Sequence, residues 1–489
     1  MFGKRDEDLM SKKDLDFLMI YPSSDFEKER KRREGVKVEG DIVRQVSPNI
    51  GIAYMLATAK KAGLKVDFVD MAAYEVTPEE VTNYVRQTRP SVVGFYAFTT
   101  QVKSAALVAD RIKDLDNNIL IGLGGPHATA TPDGTLKEFQ SFDFTVPGEG
   151  EDVIVDLFSN LKNYESVLGL RSRSGFSPVI KTINLDELPF PAWEEFNHSR
   201  YGGADPHLTS LELPMSSSRG CPFKCTFCHQ VFGHDRRHRS IDSLMEEMER
   251  NITDFGAEAT YFTDETFIIN KKWSAELFQT MIDRGISEKM RFSAAVRVDI
   301  NSPELFKLMK EAGCYYIFFG FENADDGMLK TMDKRTRSHQ MKQAVRWAQD
   351  AGITVTGSFI LGLPGETEET AYKSMHLGKE LGLYSVTFPI AVPFPGTRLR
   401  KQAEAGEYGL KILSNNWDDY GKQYPGVMES ETLSIHRLRE LQKEAYELNP
   451  KHKLEDYLHR DFMPPEMLAR VEAAHQRQDQ VRDQIEAVI

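Results

Sequence analysis

The chain has 489 residues, 40% of them hydrophobic, and sets 61 Lys and Arg against 74 Asp and Glu, a formal charge of −13. That length accommodates two or three domains, and no window approaches the roughly 18 unbroken apolar residues of a membrane-spanning helix. Acid in excess along the whole sequence argues against a nucleic-acid partner, which requires clustered positive charge. The opening MFGKRDEDLMSKKDLDF mixes both charge signs and lacks the apolar stretch of a secretion signal, so a cytoplasmic location is expected.

The order of elements predicts an α/β protein. Apolar runs at Leu15–Tyr21, Lys65–Asp70, Ser91–Phe98, Asn118–Gly125 and Phe142–Gly148 alternate with helical periods. Continuous apolar strands imply burial on both faces, hence a doubly wound, Rossmann-like parallel sheet over residues 1–165. Residues 166–205 read as a linker, broken by Pro178, Pro189 and Pro191. From 206 to 398 strand and helix alternate again, in LELPMSSS, EATYFTDE, MRFSAAVR, CYYIFFGFE, TVTGSFILG and YSVTFPIAV. Six such units predict a partial (β/α)6 TIM-type barrel, whose chemistry sits on the loops after the strands. Residues 399–489 turn charged and helical, as in EMLARVEAAHQRQDQVRDQIEAVI.

Cys221, Cys225 and Cys228 fall in the spacing CxxxCxxC, while Cys314 stands alone before an apolar strand. Four cysteines in so long a chain do not make a disulfide framework; a metal or redox use fits better. Three thiolates in one loop leave one iron of a four-iron cubane open to a small molecule. Zinc is the rival, with His229 beside Cys228 as a fourth ligand, although CxxxCxxC is not a zinc-finger pair. Three reduced structural cysteines would need an apolar setting, which Arg219, Lys224 and Thr226 do not provide. Cys314 reads as a packing residue. The basic run His234–Arg239 is either a solvated loop or a holder of an anionic group.

The loop CPFKCTFC resembles the signature of the radical S-adenosylmethionine superfamily, and the resemblance extends over the barrel. It implies a [4Fe-4S] cluster on Cys221, Cys225 and Cys228, S-adenosylmethionine on the open iron, and release of a 5′-deoxyadenosyl radical after one-electron reduction by a ferredoxin or flavodoxin. Phe227 resembles the aromatic residue near adenine. FTDETF replaces the usual glycine-rich contact of the methionine amine, leaving Thr263, Asp264 and Glu265 as candidates for the ammonium. Arg297 and Glu322 close two strands where an unpaired buried charge is costly, so each is expected to pair with the other, with cofactor or with substrate. Gly362, in GSFILGLPGET, resembles the adenine-side turn, although a turn alone also explains its glycines.

In the first domain, Thr99 and Thr100, the loop GLGGPHAT with Gly124, Gly125 and His127, and VPGEGE with Gly148 and Glu149 follow three strand ends. Ligands of doubly wound sheets bind there, and no GxGxxG follows the first strand to mark a nucleotide site. These stretches resemble the cobalamin-binding domain that precedes the barrel in one radical S-adenosylmethionine class, and imply cobalamin. YPSSDFEKE lacks the cobalt-ligating histidine of classical cobalamin domains. The resemblance implies methyl transfer to an unactivated carbon or phosphorus centre of a small-molecule substrate. Oxidative cyclisation without methyl transfer is the alternative, and an iron-sulfur electron-transfer protein is the alternative of another class.

Overall fold

The computed structural model describes residues 14–23, 47–176, 183–201, 211–421 and 426–450. The rest of the YPSSDFEKE stretch beyond Ser23, and the helix expected in EMLARVEAAHQRQDQVRDQIEAVI, lie outside the described residues.

The N-terminal domain contains β1 (Phe17–Tyr21), α1 (Ile50–Lys61), β2 (Val66–Asp70), α2 (Pro78–Thr88), β3 (Val92–Tyr96), α3 (Val102–Leu115) and β4 (Leu120–Gly124). Two short helices, α4 (Pro126–Ala130) and α5 (Pro132–Glu138), β5 (Phe144–Thr145) and α6 (Glu151–Ser159) follow. The sheet order β2-β1-β3-β4-β5 is all parallel, a doubly wound arrangement whose switch point lies between β1 and β3. Alternation along β1 explains the double burial: Phe17 and Met19 face α1 and α6, while Leu18 and Ile20 face α2 and α3. The sheet runs past residue 165 into an antiparallel hairpin, β6 (Arg171–Ser172) and β7 (Gly175–Phe176).

After residues 183–201, and ahead of the second sheet, β8 (Ser218–Arg219) pairs antiparallel with β9 (Arg237–His238) across the cysteine loop as a separate two-stranded ribbon. Then come α7 (Ile241–Phe255), β10 (Ala259–Phe262), α8 (Lys271–Asp283), β11 (Arg291–Val296), α9 (Pro303–Glu311) and β12 (Cys314–Glu322). A short α10 (Asp326–Thr331), α11 (Ser338–Asp350), β13 (Thr354–Phe359), α12 (Glu368–Glu380) and β14 (Ser385–Thr387) complete it. Strands β10 to β14 are parallel neighbours in chain order. LELPMSSS, expected as the first strand, keeps only isolated bridges, Glu212 to Ala259 and Met215 to Phe262. Backbone bonds nonetheless set it alongside β10: Leu213 N–H donates to Ala259 at 3.1 Å and Met215 N–H to Tyr261 at 3.0 Å, while the Pro214 nitrogen between them faces away from β10. Phe262, Phe267, Phe278 and Phe292 pack together in the core between this sheet and α8, with Phe262 stacked on Phe267 and Phe278 on Phe292.

Among the described residues, the C-terminal region comprises α13 (Arg398–Glu404), a hairpin of β15 (Lys411–Ile412) and β16 (Met428–Glu429), and α14 (Ile435–Leu448). Between the hairpin strands, the turn at Trp417–Asp419 reaches back to the first domain. Lys103 bonds Asn416 at 2.9 Å and Asp418 at 2.7 Å, and Trp417 donates to Glu138 at 2.9 Å.

Candidate functional site

The three cysteines lie between β8 and β9, at the end of the half-barrel where the strands point. Gly220 opens the loop at φ 91°, and a Cβ there would sit 2.3 Å from the Asp235 carbonyl. Only glycine allows the two limbs of the loop to approach this closely. Cys221 N–H donates to Gly233 at 3.1 Å, Thr226 N–H to Met332 at 3.0 Å and Cys228 N–H to Cys225 at 3.2 Å, so backbone bonds fix the loop. Burial raises the thiol pKa values of Cys221 and Cys225, and neighbouring thiols push the same way at Cys221 and at Cys228, which is itself exposed. The sulfurs therefore stand within electrostatic reach of one another, and a metal must displace their protons to bind.

Among the described residues, no three His, Cys, Asp or Glu side chains close on a single ion-sized point. A lone tetrahedral zinc requires such closure, whereas a cubane takes each thiolate on a different iron. His229, the candidate fourth zinc ligand, packs beside Gly396. Cys314 lies at the start of β12, the far end of the sheet, 1% exposed, with its Sγ 3.6 Å from the Tyr316 carbonyl. It is a packing residue.

The strand-end polar groups brace this loop. Asp264 accepts from Ser217 N–H at 3.0 Å, Ser217 Oγ at 2.7 Å and Ser218 Oγ, so both its oxygens are engaged. Glu265 accepts the backbone N–H groups of Gly220 and Phe232, one from each limb of the cysteine loop. Thr263 bonds the Met215 carbonyl through N–H and hydroxyl. Phe227 packs, partly buried, on the barrel core.

Arg297 and Glu322 do not pair with each other. Arg297 forks onto Asp299 with two bonds of 2.9 Å, donates to the Lys334 carbonyl at 2.8 Å and lies 3.6 Å over the Phe223 ring. Glu322 bonds Lys334 Nζ at 2.7 Å, both side chains nearly buried. Its φ of 67° is a strained conformation for a non-glycine residue, at an irregularity in the β12–β13 register. Lys334 and Arg297 both favour the Cys225 thiolate electrostatically. Lys334 escapes sequence reading, because nothing in TMDKRTRS separates it from the surface cations around it. Gly362, at φ 82°, touches Leu438 of α14 and donates to Glu366.

In the first domain, an apolar cavity of about 460 Å³ opens beyond β1, β3 and β4 and continues to the barrel. Gly124, Gly125, Gly148 and Glu149 line it, with Phe232 and Thr263 from the barrel side. Gly125, at φ 89°, brings its backbone so near Ala97 that a Cβ would lie 3.0 Å from the Ala97 nitrogen. Thr99, Thr100 and His127 are not in the cavity wall. His127 is fully buried, its Nδ1 3.3 Å from Thr99 Oγ1 and its ring edge-on to Trp417.

These two sites coincide with two known families. The B12 binding domain matches residues 37–158, and the Radical SAM superfamily matches residues 215–378. An uncharacterized methyltransferase of Pyrococcus horikoshii is 31% identical over 438 residues, covering 86% of this chain and 93% of its own. The chain belongs to the cobalamin-binding radical S-adenosylmethionine enzymes. A further relative, the anaerobic magnesium-protoporphyrin IX monomethyl ester cyclase of Cereibacter sphaeroides, is 30% identical across 74% of this chain and 62% of its own. Among solved structures, the radical S-adenosylmethionine methyltransferase TsrM of Kitasatospora setae superposes with a TM-score of 0.67 at 16% identity, covering 90% of each chain. It shows the same fold.

Membership brings a [4Fe-4S] cluster, S-adenosylmethionine and cobalamin, and the residues fit them. Three loop thiols without a fourth suit a cubane that keeps one iron open. The apolar cavity under a glycine-edged rim admits a broad flat ligand. Within this family's first domain, His127 acts on stability. Burial first, then His229, lowers its pKa to about 4, below the ordinary value near 6.5. The unfolded chain thus takes up this proton first as pH falls. Stability present above pH 6.5 is lost towards pH 4, and by pH 5 the loss is about 2 kcal/mol. Melting of the cofactor-free protein at pH 7.5 and pH 5 tests this: His127→Phe is expected to show a smaller drop than wild type, and an equal drop refutes it.

Proposed function

We propose that this enzyme transfers a methyl group to an unactivated carbon or phosphorus centre of a small molecule. The observation that carries the reading is the continuity of the cobalamin cavity with the barrel: Thr263 and Phe232, beside the cysteine loop, form part of its wall. A methyl carrier held there would be bordered by Thr263 and Phe232, next to the loop whose thiols would hold the cluster. Similarity to a methyltransferase over nearly the full length of both chains supports it.

When bound, the cluster and S-adenosylmethionine supply a hydrogen-abstracting radical, and cobalamin supplies the methyl group. The chain supplies orientation and exclusion of water. Arg297 and Lys334 place two buried cations beside Cys225, suited to the carboxylate of an amino acid moiety. Asp264 and Glu265 hold the cysteine loop in shape. The largely apolar walls of the cavity limit water between the two sites. The test is incubation of the reconstituted enzyme with methyl-deuterated S-adenosylmethionine, reductant and a candidate substrate set. Deuterated methyl in product supports transfer; 5′-deoxyadenosine with an unmethylated, oxidised product supports the cyclase reading, which the similarity to the cyclase favours as the second choice.

The same reading requires an external one-electron donor, and an acidic carrier such as flavodoxin or ferredoxin fits the surface over Cys225. Lys224 is exposed, and Arg335 and Arg398 are 61% and 53% exposed around Asp333, whose carbonyl lies 3.9 Å from Cys225 Sγ. Opposite charge steers such encounters and weakens with salt. Lys224→Glu with Arg335→Glu is expected to slow cluster reduction by reduced flavodoxin about tenfold at low salt, with reduction by dithionite unchanged. Equal flavodoxin rates in variant and wild type refute the surface. A cytoplasmic site of action agrees with this need for a reducing partner.

A further inference from the structure

Arg236, Arg237 and Arg239 of the basic run after the cysteines are turned inward, while His234 is exposed. His234 Nδ1 lies 3.2 Å from the Cys221 carbonyl, Arg236 donates to the Phe267 carbonyl at 2.9 Å, and Arg239 pairs with the fully buried Glu247. Arg237 donates to the Ile183 carbonyl at 2.8 Å and pairs with Glu149 Oε2 at 2.8 Å. The other oxygen of Glu149 bonds Arg219 Nη1, and Arg219 Nη2 pairs with Glu151 at 2.6 Å. Arg219 is sandwiched between Tyr54 of α1, 5.2 Å away, and Phe232 of the cysteine loop, 5.1 Å away.

This lattice crosses the domain boundary. Tyr54, Glu149 and Glu151 belong to the cobalamin domain, and Arg219, Phe232 and Arg237 to the strands and loop that carry the cysteines. Arg219 and Glu151 are each 5% exposed, and both line the cavity. Arg219 stands two residues before Cys221, joined to it through Gly220, which the Asp235 carbonyl confines. A guanidinium can fork onto two carboxylates at once, which a lysine ammonium, as a single point charge, reproduces poorly.

We propose that Arg219 is a positioning residue shared by the two cofactor sites, tying the cavity rim at Glu149 and Glu151 to the backbone that sets Cys221, so that cobalamin binding and cluster binding reinforce each other. The proposal rests on the assignment of the cavity to cobalamin and of the three thiols to the cluster. Coupling of this kind is reciprocal: the factor by which the cluster tightens cobalamin equals the factor by which cobalamin tightens the cluster.

The experiment titrates hydroxocobalamin into the full-length protein, with and without the reconstituted cluster, and follows the corrin absorbance. Wild type is expected to bind about tenfold more tightly with the cluster in place. Arg219→Gln combined with Glu151→Gln removes both charges together and so avoids stranding one of them. In that variant the two affinities are expected to converge while iron and cobalamin are still taken up, and Arg219→Lys is expected to recover part of the difference. Equal affinities in wild type overturn the proposal. So does a difference that survives in the double variant, or a double variant that takes up neither cofactor, which would make the lattice a requirement of folding alone. No methyl transfer enters the measurement: coupling without transfer leaves this inference standing and removes the reaction, whereas wild type that binds no cobalamin removes the cofactor assignment.

Discussion

Replacing any one of Cys221, Cys225 or Cys228 by Ala is expected to reduce iron after anaerobic reconstitution from about four atoms per chain to a small residue. Formation of 5′-deoxyadenosine is expected to disappear with it. The loop offers no substitute thiol, since Cys314 sits at the opposite end of β12, buried and bonded to the Tyr316 carbonyl. Cys314→Ala therefore keeps the iron and lowers stability only by the loss of a small packed side chain. Full iron in a single loop variant, lost only when Cys314 is also changed, would show a ligand set different from the one described. Iron counts and the charge-transfer absorbance of the cluster decide between these outcomes without reference to any substrate.

Lys334→Met carries the second large effect. The ion pair with Glu322 is almost fully buried, and removing one member leaves a charge with neither water nor partner, a loss of about 3–5 kcal/mol. Melting temperature is expected to fall steeply. Pairing Lys334→Met with Glu322→Gln removes the stranded carboxylate, and much of the stability is expected to return. Cleavage of S-adenosylmethionine is expected to stay impaired in the double variant, because the cation facing Cys225 is gone. If activity returns together with stability, Lys334 serves the fold and not the cofactor.

How far the sequence could be read depended on the range of the interactions involved. The cysteine loop is a local pattern whose spacing carries its chemistry. The strands of both sheets also follow local apolar runs, and Cys314 announces its burial through the strand it opens. LELPMSSS does lie beside β10, bonded through Leu213 and Met215, although it forms bridges there and not a regular strand. Strand order in the first sheet could not be read, since similar runs permit several sheet orders, whereas chain-order neighbours in the second follow from the expected barrel. Roles set by distant partners were equally hidden. Asp264 and Glu265 looked like cofactor ligands at a strand end, yet the structure uses them to hold Ser217, Ser218, Gly220 and Phe232 in place. Glu149 looked like a loop carboxylate beside a cofactor, and lines the cavity while also bridging two arginines of the other domain. Lys334 and Glu151 had no local signal beyond charge. The glycines at 124, 125 and 148 were legible because a rim without side chains is a local property.

The return of the turn at Trp417–Asp419 to α3, α5 and His127 bears on how this protein can be re-engineered. Exchange of the first domain between relatives, cut at the linker, would leave the Trp417 indole facing a foreign surface and the Lys103 contacts of Asn416 and Asp418 severed. A viable chimera has to carry residues 411–429 along with the donor's first domain, making the unit of exchange discontinuous in sequence.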